Sequence, residues 1–150
     1  MKKVQWIIVV LLLLVQSNAV QAEEYGGNVV VKKLLTSTTS SNGQQLSYLR
    51  TDHPEVTVLV IRIPPGGSTG WHQHPVPVYA YMLEGSLTVE MKDGKTYEFK
   101  KGGVILEEMN ALHNGYNSGS DAASLVVFYT GAVGMPIVIK EEPQATTALK

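Results

Sequence analysis

Hydrophobic and polar positions alternate with a period of two along much of this chain, the spacing that sends successive side chains to opposite faces of a strand. From Ser86 to Met91 the apolar Leu87, Val89 and Met91 take one face, and Ser86, Thr88 and Glu90 the other. Asp93-Gly94 follows, a pair suited to a tight hairpin turn, and Thr96 to Lys100 returns with Tyr97 and Phe99 on one face. Residues 56–63, VTVLVIRI, are apolar or β-branched at nearly every position, which predicts a strand buried on both faces. Further strands are predicted at 29–35, 104–106, 124–129 and, short, 136–140. Between them stand PPGG at 64–67, KGG at 101–103 and the polar loop TSTTSSNGQQ at 36–45. Beyond residue 22, no run of ten or more residues has helical periodicity. Short strands separated by Gly/Pro turns, with no internal repeat, predict a single all-β domain, a sandwich or barrel.

The N-terminus reads differently. Met1-Lys2-Lys3 leads into WIIVVLLLLV at 6–15, then QSNAVQA and two glutamates. A basic start, a short apolar run and a small residue before a polar boundary predict a signal peptide over 1–22, cleaved after Ala22. Ten apolar residues fall short of the roughly 20 that span a bilayer, so no membrane span is expected after cleavage. The mature domain then covers 23–150, with 141–150 a loose tail. The expected location is outside the cytoplasm, periplasmic or secreted.

The chain has no cysteine. That excludes disulfides, thiolate metal sites, cysteine nucleophiles and lipid attachment through an N-terminal cysteine. Without Lys2 and Lys3, ten basic residues face 13 acidic ones, a balance of about −3 that gives no footprint for nucleic acid.

Candidate chemistry sits in GWHQHPVPVYAYMLEG, residues 70–85, where His72 and His74 stand one residue apart. In an extended segment the two imidazoles share a face and form a two-point clamp for a transition metal. Gly66, five residues, His72-x-His74 and the closing Gly85 resemble the first motif of the cupin family. Gly102, five residues, Glu108-Met109-Asn110, two residues, His113, three residues and Asn117 resemble the second. Asn110 stands where the family has glycine, and both residues tolerate the left-handed backbone of a turn. Glu108 stands where it has proline. The chain therefore resembles a small single-domain cupin (cupin 2 type), with motifs at 66–85 and 102–117.

The resemblance implies a double-stranded β-helix, the jelly-roll barrel, holding one divalent metal (Fe, Zn, Ni, Cu or Mn) on His72, His74 and His113. It also implies a small-molecule ligand or substrate, and a homodimer formed through strand edges, for which 29–35 and 136–140 are the candidates. The family's glutamate ligand, separated from the closing glycine by six residues, is replaced here by Val78. Either the metal stays on three imidazoles with open positions, as in the similar thiol dioxygenases, or the histidines line a metal-free pocket.

Glu107, six residues before His113, is the one carboxylate that could return to such a site. It could replace the missing ligand, accept from an imidazole N–H, act as a general base, or simply face solvent at a strand end. His53 falls in a turn outside both motifs. Tyr79 and Tyr81 have the parity of the opposite face, Met82 that of the pocket wall, and Trp71 either covers the mouth or fills core. Glu84 is expected at an exposed turn. Two function classes stay open: a metal enzyme, dioxygenase- or isomerase-like, acting on a small organic molecule, and a non-catalytic cupin that binds a small ligand without metal.

Overall fold

The computed structural model describes residues 28–142, so the expected signal peptide and the tail beyond Glu142 lie outside the described residues. The chain divides into two compact units, Met1–Lys32 and Lys33–Lys150, and every strand belongs to the second. Nine strands follow in order: β1 Pro54–Ile63, β2 His72–Gln73, β3 Val78–Glu84, β4 Ser86–Met91, β5 Thr96–Lys100, β6 Val104–Glu107, β7 His113–Tyr116, β8 Ala123–Ala132 and β9 Ile139–Lys140. Among the described residues there is no helix, and so none long and apolar enough to cross a membrane.

The strands form two antiparallel sheets, β1-β8-β3-β6 and β5-β4-β7-β2-β9. Alternation explains the interior. Val78, Ala80 and Met82 of β3, Leu125, Val127 and Tyr129 of β8, and Leu87 and Val89 of β4 are buried, while the intervening Tyr79, Tyr81, Thr88, Val126 and Phe128 are more exposed. Met82 is fully enclosed, and burying a side chain of this size contributes about 1.5–3 kcal/mol. The hairpin of β4 and β5 forms as the alternation predicts, with Asp93-Gly94 at its turn.

The two sequence motifs supply the fold's corners. Gly85 has φ of +66°, and a Cβ there would lie 2.5 Å from the Ala122 carbonyl oxygen, so both torsion and space demand glycine. Asn110 is left-handed, with φ of 60°, as its position at the family glycine predicts. Asn117 is buried and donates through Nδ2 to the carbonyls of Ile63 and Asp121, while its Oδ1 accepts from the Gly119 amide.

Two expectations need correction. The apolar run at 56–63 is not buried on both faces: β1 is an edge strand paired only with β8, and Val56, Val58 and Val60 stay 49–70% exposed. A β-branched run favours extended backbone but does not record what packs on it. Residues 29–35 form no strand, and 136–140 keeps only a two-residue strand, β9, paired with β2. The first therefore offers no strand edge to a second copy, and the exposed apolar edge is β1. The stretch at 36–45 is a loop, as its composition predicts, and it folds on itself through a Thr39–Gln45 bridge. It also laces onto β6, with the Ser41 amide donating to the Leu106 carbonyl at 2.7 Å.

Candidate metal centre

His72 and His113 are directly opposed across the β2–β7 ladder, so their side chains leave the same face of the five-stranded sheet. His74 follows just beyond β2. The three rings gather with centroids 4.4 Å (His72–His113), 4.8 Å (His72–His74) and 5.2 Å (His74–His113) apart, all buried.

Each Nδ1 meets a backbone carbonyl: Gly70 at 2.8 Å for His72, Ile137 at 2.6 Å for His74 and Ala111 at 2.9 Å for His113. A carbonyl only accepts, so each Nδ1 carries the proton and each Nε2 presents its lone pair. One ligand nitrogen from each ring lies within 4.8 Å of the others. The second motif's histidine thus joins the pair from the first, as the motif spacing implies.

Glu107 does not face solvent at its strand end. Its side chain is only 16% exposed, and its Oε2 lies 3.1 Å from His74 Nε2 and 3.6 Å from His113 Nε2. With the His74 proton on Nδ1, its Nε2 has none to donate to Glu107, and Glu107 Oε2, like His113 Nε2, is buried without a hydrogen-bond partner. Glu107 reaches this point from the other sheet, where it is directly opposed to Val78 across the β3–β6 ladder.

Burial works against charge on His74, but the Glu107 carboxylate outweighs it and raises the imidazole above its ordinary range. Burial likewise opposes charge on Glu107, and the surrounding histidines overcome it and hold the carboxyl low. His72 is lowered, chiefly by burial.

The site opens into a cavity of about 40 Å³ with apolar walls that include Ile61, Leu87, Leu125 and Val127. At roughly 10–15 Å³ per water, that space holds about three water-sized groups. A smaller cavity of about 20 Å³, under Ser41 and Asn42, touches Glu107 and His113 from another side. Glu108, at the family proline position, accepts from Asn42 Nδ2 at 2.7 Å and so tethers that loop.

Tyr129 is the site residue that sequence reading passed over. It lies directly opposite Val78 on β8, lines the cavity and packs its ring 5.3 Å from that of His74. Burial, then the charge of Glu107, pushes its phenol up to about 12, so the hydroxyl keeps its proton. Its parity with Leu125 and Val127 was the available signal. His53 is exposed and outside the cluster. Tyr79 and Tyr81 lie on the outer face, Met82 is core, and Glu84 is exposed, 3.8 Å from Arg62. Trp71 packs under Lys92, whose Nζ sits 4.1 Å over the indole.

The donor set fits a transition metal: three buried imidazoles, held by backbone, present nitrogens within 4.8 Å of one another, and one of those nitrogens has no other partner. A buried polar atom left unpaired carries a penalty that a bound ion would remove.

The cupin domain family matches residues 59–129. No curated protein matches the chain in sequence. Among solved structures, it is similar to the DMSP lyase DddQ from Ruegeria pomeroyi DSS-3, with TM-score 0.53 and 17% identity over 60% of this chain and 45% of that one. It is also similar to an oxalate decarboxylase from Lactobacillus farciminis in a formate complex, with TM-score 0.51 and 21% identity over 57% of this chain and 26% of that one. A conserved double-stranded β-helix protein from Klebsiella pneumoniae gives TM-score 0.50 and 20% identity over 64% of this chain and 92% of that one. The chain spans less than half the length of the DMSP lyases it matches, and at these identities the likeness is one of fold. Residues 59–129 belong to the cupin domain family and fold as a small cupin domain.

Proposed function

We propose that His72, His74 and His113 hold one divalent transition metal with positions left open, and that this cupin acts on a small organic molecule outside the cytoplasm. The observation that carries the reading is the gathering of three buried imidazoles, each tied at Nδ1 to a carbonyl and each leaving a ligand nitrogen within 4.8 Å of the others. A metal bound there supplies a Lewis acid for an oxygen-bearing group. The chain's own residues do the rest. Apolar walls lower the local dielectric and so strengthen electrostatic interactions inside. The Tyr129 hydroxyl, which keeps its proton, can donate to an oxygen in the cavity. The cavity's size admits only a small molecule or one small functional group of a larger one. Iron-dependent oxygen insertion and metal-assisted isomerisation are the two chemistries that a three-histidine centre with open positions suits.

Export rests on the charge and hydropathy pattern of residues 1–22. Homodimerisation rests on the free, apolar β1 edge. One observation favours the second reading, a binding module without metal: the close approach of His74 and Glu107 forms an ion pair that needs no ion between its partners.

Elemental analysis of protein recovered from its native compartment separates the two. Near-equimolar metal that disappears in the His72→Ala/His74→Ala variant supports the metal centre. Metal-free protein whose melting is unchanged by a chelator supports the binding module. Oxygen uptake with small thiols and diketones then tests the dioxygenase chemistry.

A further inference from the structure

We propose that Glu107 is a fourth metal ligand: the carboxylate that β3 lacks at Val78 is delivered by β6, from the residue directly across the ladder. The proposal rests on the metal reading above and assigns a residue to it.

The geometry is one of register. Val78 and Glu107 are Cα partners in the antiparallel β3–β6 pair, so both side chains leave the same face. Directly opposed Cβ atoms stand about 4.5–5.5 Å apart, a gap that a glutamate's length can close. A carboxylate at either position therefore reaches the same region of the barrel. Val78 is 1% exposed and has no donor atom. Glu107 is the carboxylate whose oxygen meets the histidine cluster: its Oε2 is 3.1 Å from His74 Nε2 and 3.6 Å from His113 Nε2.

Those separations resemble edges of a coordination polyhedron more than hydrogen bonds. Metal bonds of about 2.0–2.2 Å put neighbouring ligand atoms about 3–3.5 Å apart. With the His74 proton on Nδ1, its Nε2 has none to donate, and both Glu107 Oε2 and His113 Nε2 are buried with no hydrogen-bond partner. Two buried electron-pair donors, an anionic oxygen and an imidazole lone pair, lie 3.6 Å apart with no proton between them. A cation between them satisfies both.

The consequence is chemical. Three imidazoles leave a bound divalent ion with its full charge of two, and an added carboxylate reduces that to one. The oxygen donor makes the site more hospitable to harder ions than imidazoles alone.

The test measures zinc affinity of the full chain by competition with a chromophoric chelator, and the visible spectrum of its cobalt(II) form. Glu107→Gln is expected to lower affinity by at least about 10–100-fold, the loss typical even for outer partners of a ligand, and to shift the cobalt bands. Val78→Glu combined with Glu107→Val moves the carboxylate back across the ladder and is expected to recover most of that affinity. It also serves as the decisive variant if Glu107→Gln does not fold. Wild-type affinity in Glu107→Gln, or in Glu107→Val without the second change, overturns the fourth ligand and leaves the three-histidine centre standing. Weakened binding with unshifted cobalt bands does the same. A wild-type chain that takes up neither ion overturns both.

Discussion

His74 and Ile137 meet through a 2.6 Å hydrogen bond between residues 63 positions apart in the chain. The carbonyl of the C-terminal segment fixes the proton on Nδ1 and turns Nε2 into the barrel. The other two histidines take their carbonyls from two residues upstream, Gly70 and Ala111. His74 alone depends on a distant stretch, which β9 pins to β2 and the Glu141 amide pins to the Trp71 carbonyl at 3.0 Å.

Ending the chain after Gly134 should therefore loosen His74 while sparing the partners of His72 and His113. The expected result is a metal affinity lower by about 10–100-fold, the usual effect of removing a ligand's outer partner. Chelator competition on the truncated and full chains checks it. Unchanged affinity would show that Ile137 does not orient the ring.

The His74–Glu107 contact predicts a pH window in metal-free protein. His74 is raised from 6.5, so its contribution to stability is complete below pH 6.5 and lost as pH rises through the folded value. Glu107 is lowered from 4.5, so its contribution is complete above pH 4.5 and lost as pH falls through the folded value. The melting difference between wild type and Glu107→Gln, measured with chelator, should be widest between pH 4.5 and 6.5 and narrow on both sides. A difference that is flat with pH would count against the ion pair.

Asn117 ties Ile63, Asp121 and Gly119 together from inside the molecule. Asn117→Ala leaves those groups without their partner and should destabilise the fold by about 3 kcal/mol. Gly85→Ala should cost at least as much, because a Cβ would stand 2.5 Å from a carbonyl oxygen at φ +66°. Urea unfolding of each variant checks the pair, and a loss under about 1 kcal/mol would contradict the packing.

Val58 projects from the free edge strand and is 49% exposed. If β1 carries a homodimer, Val58→Lys should halve the sedimenting mass while leaving the melting temperature of the fold nearly unchanged. A wild-type chain that is already monomeric removes the dimer.

The sequence by itself determined whatever depends on neighbours along the chain. The β4–β5 hairpin was legible because alternation and Asp93-Gly94 specify it locally. Asn110 was legible because its place in the motif demands a left-handed turn. The histidine cluster was legible through motif spacing. Tertiary structure decided the rest, because an apolar run states that a strand is extended and not what lies against it. The run at 56–63 became an exposed edge, and residues 29–35 found no ladder to join. Glu107 and Tyr129 entered the site through their shared rung with Val78. Register between strands far apart in sequence is set by how the whole barrel packs, so local parity could turn Tyr129 inward and spacing could single out Glu107, but neither could place them on the rung of Val78.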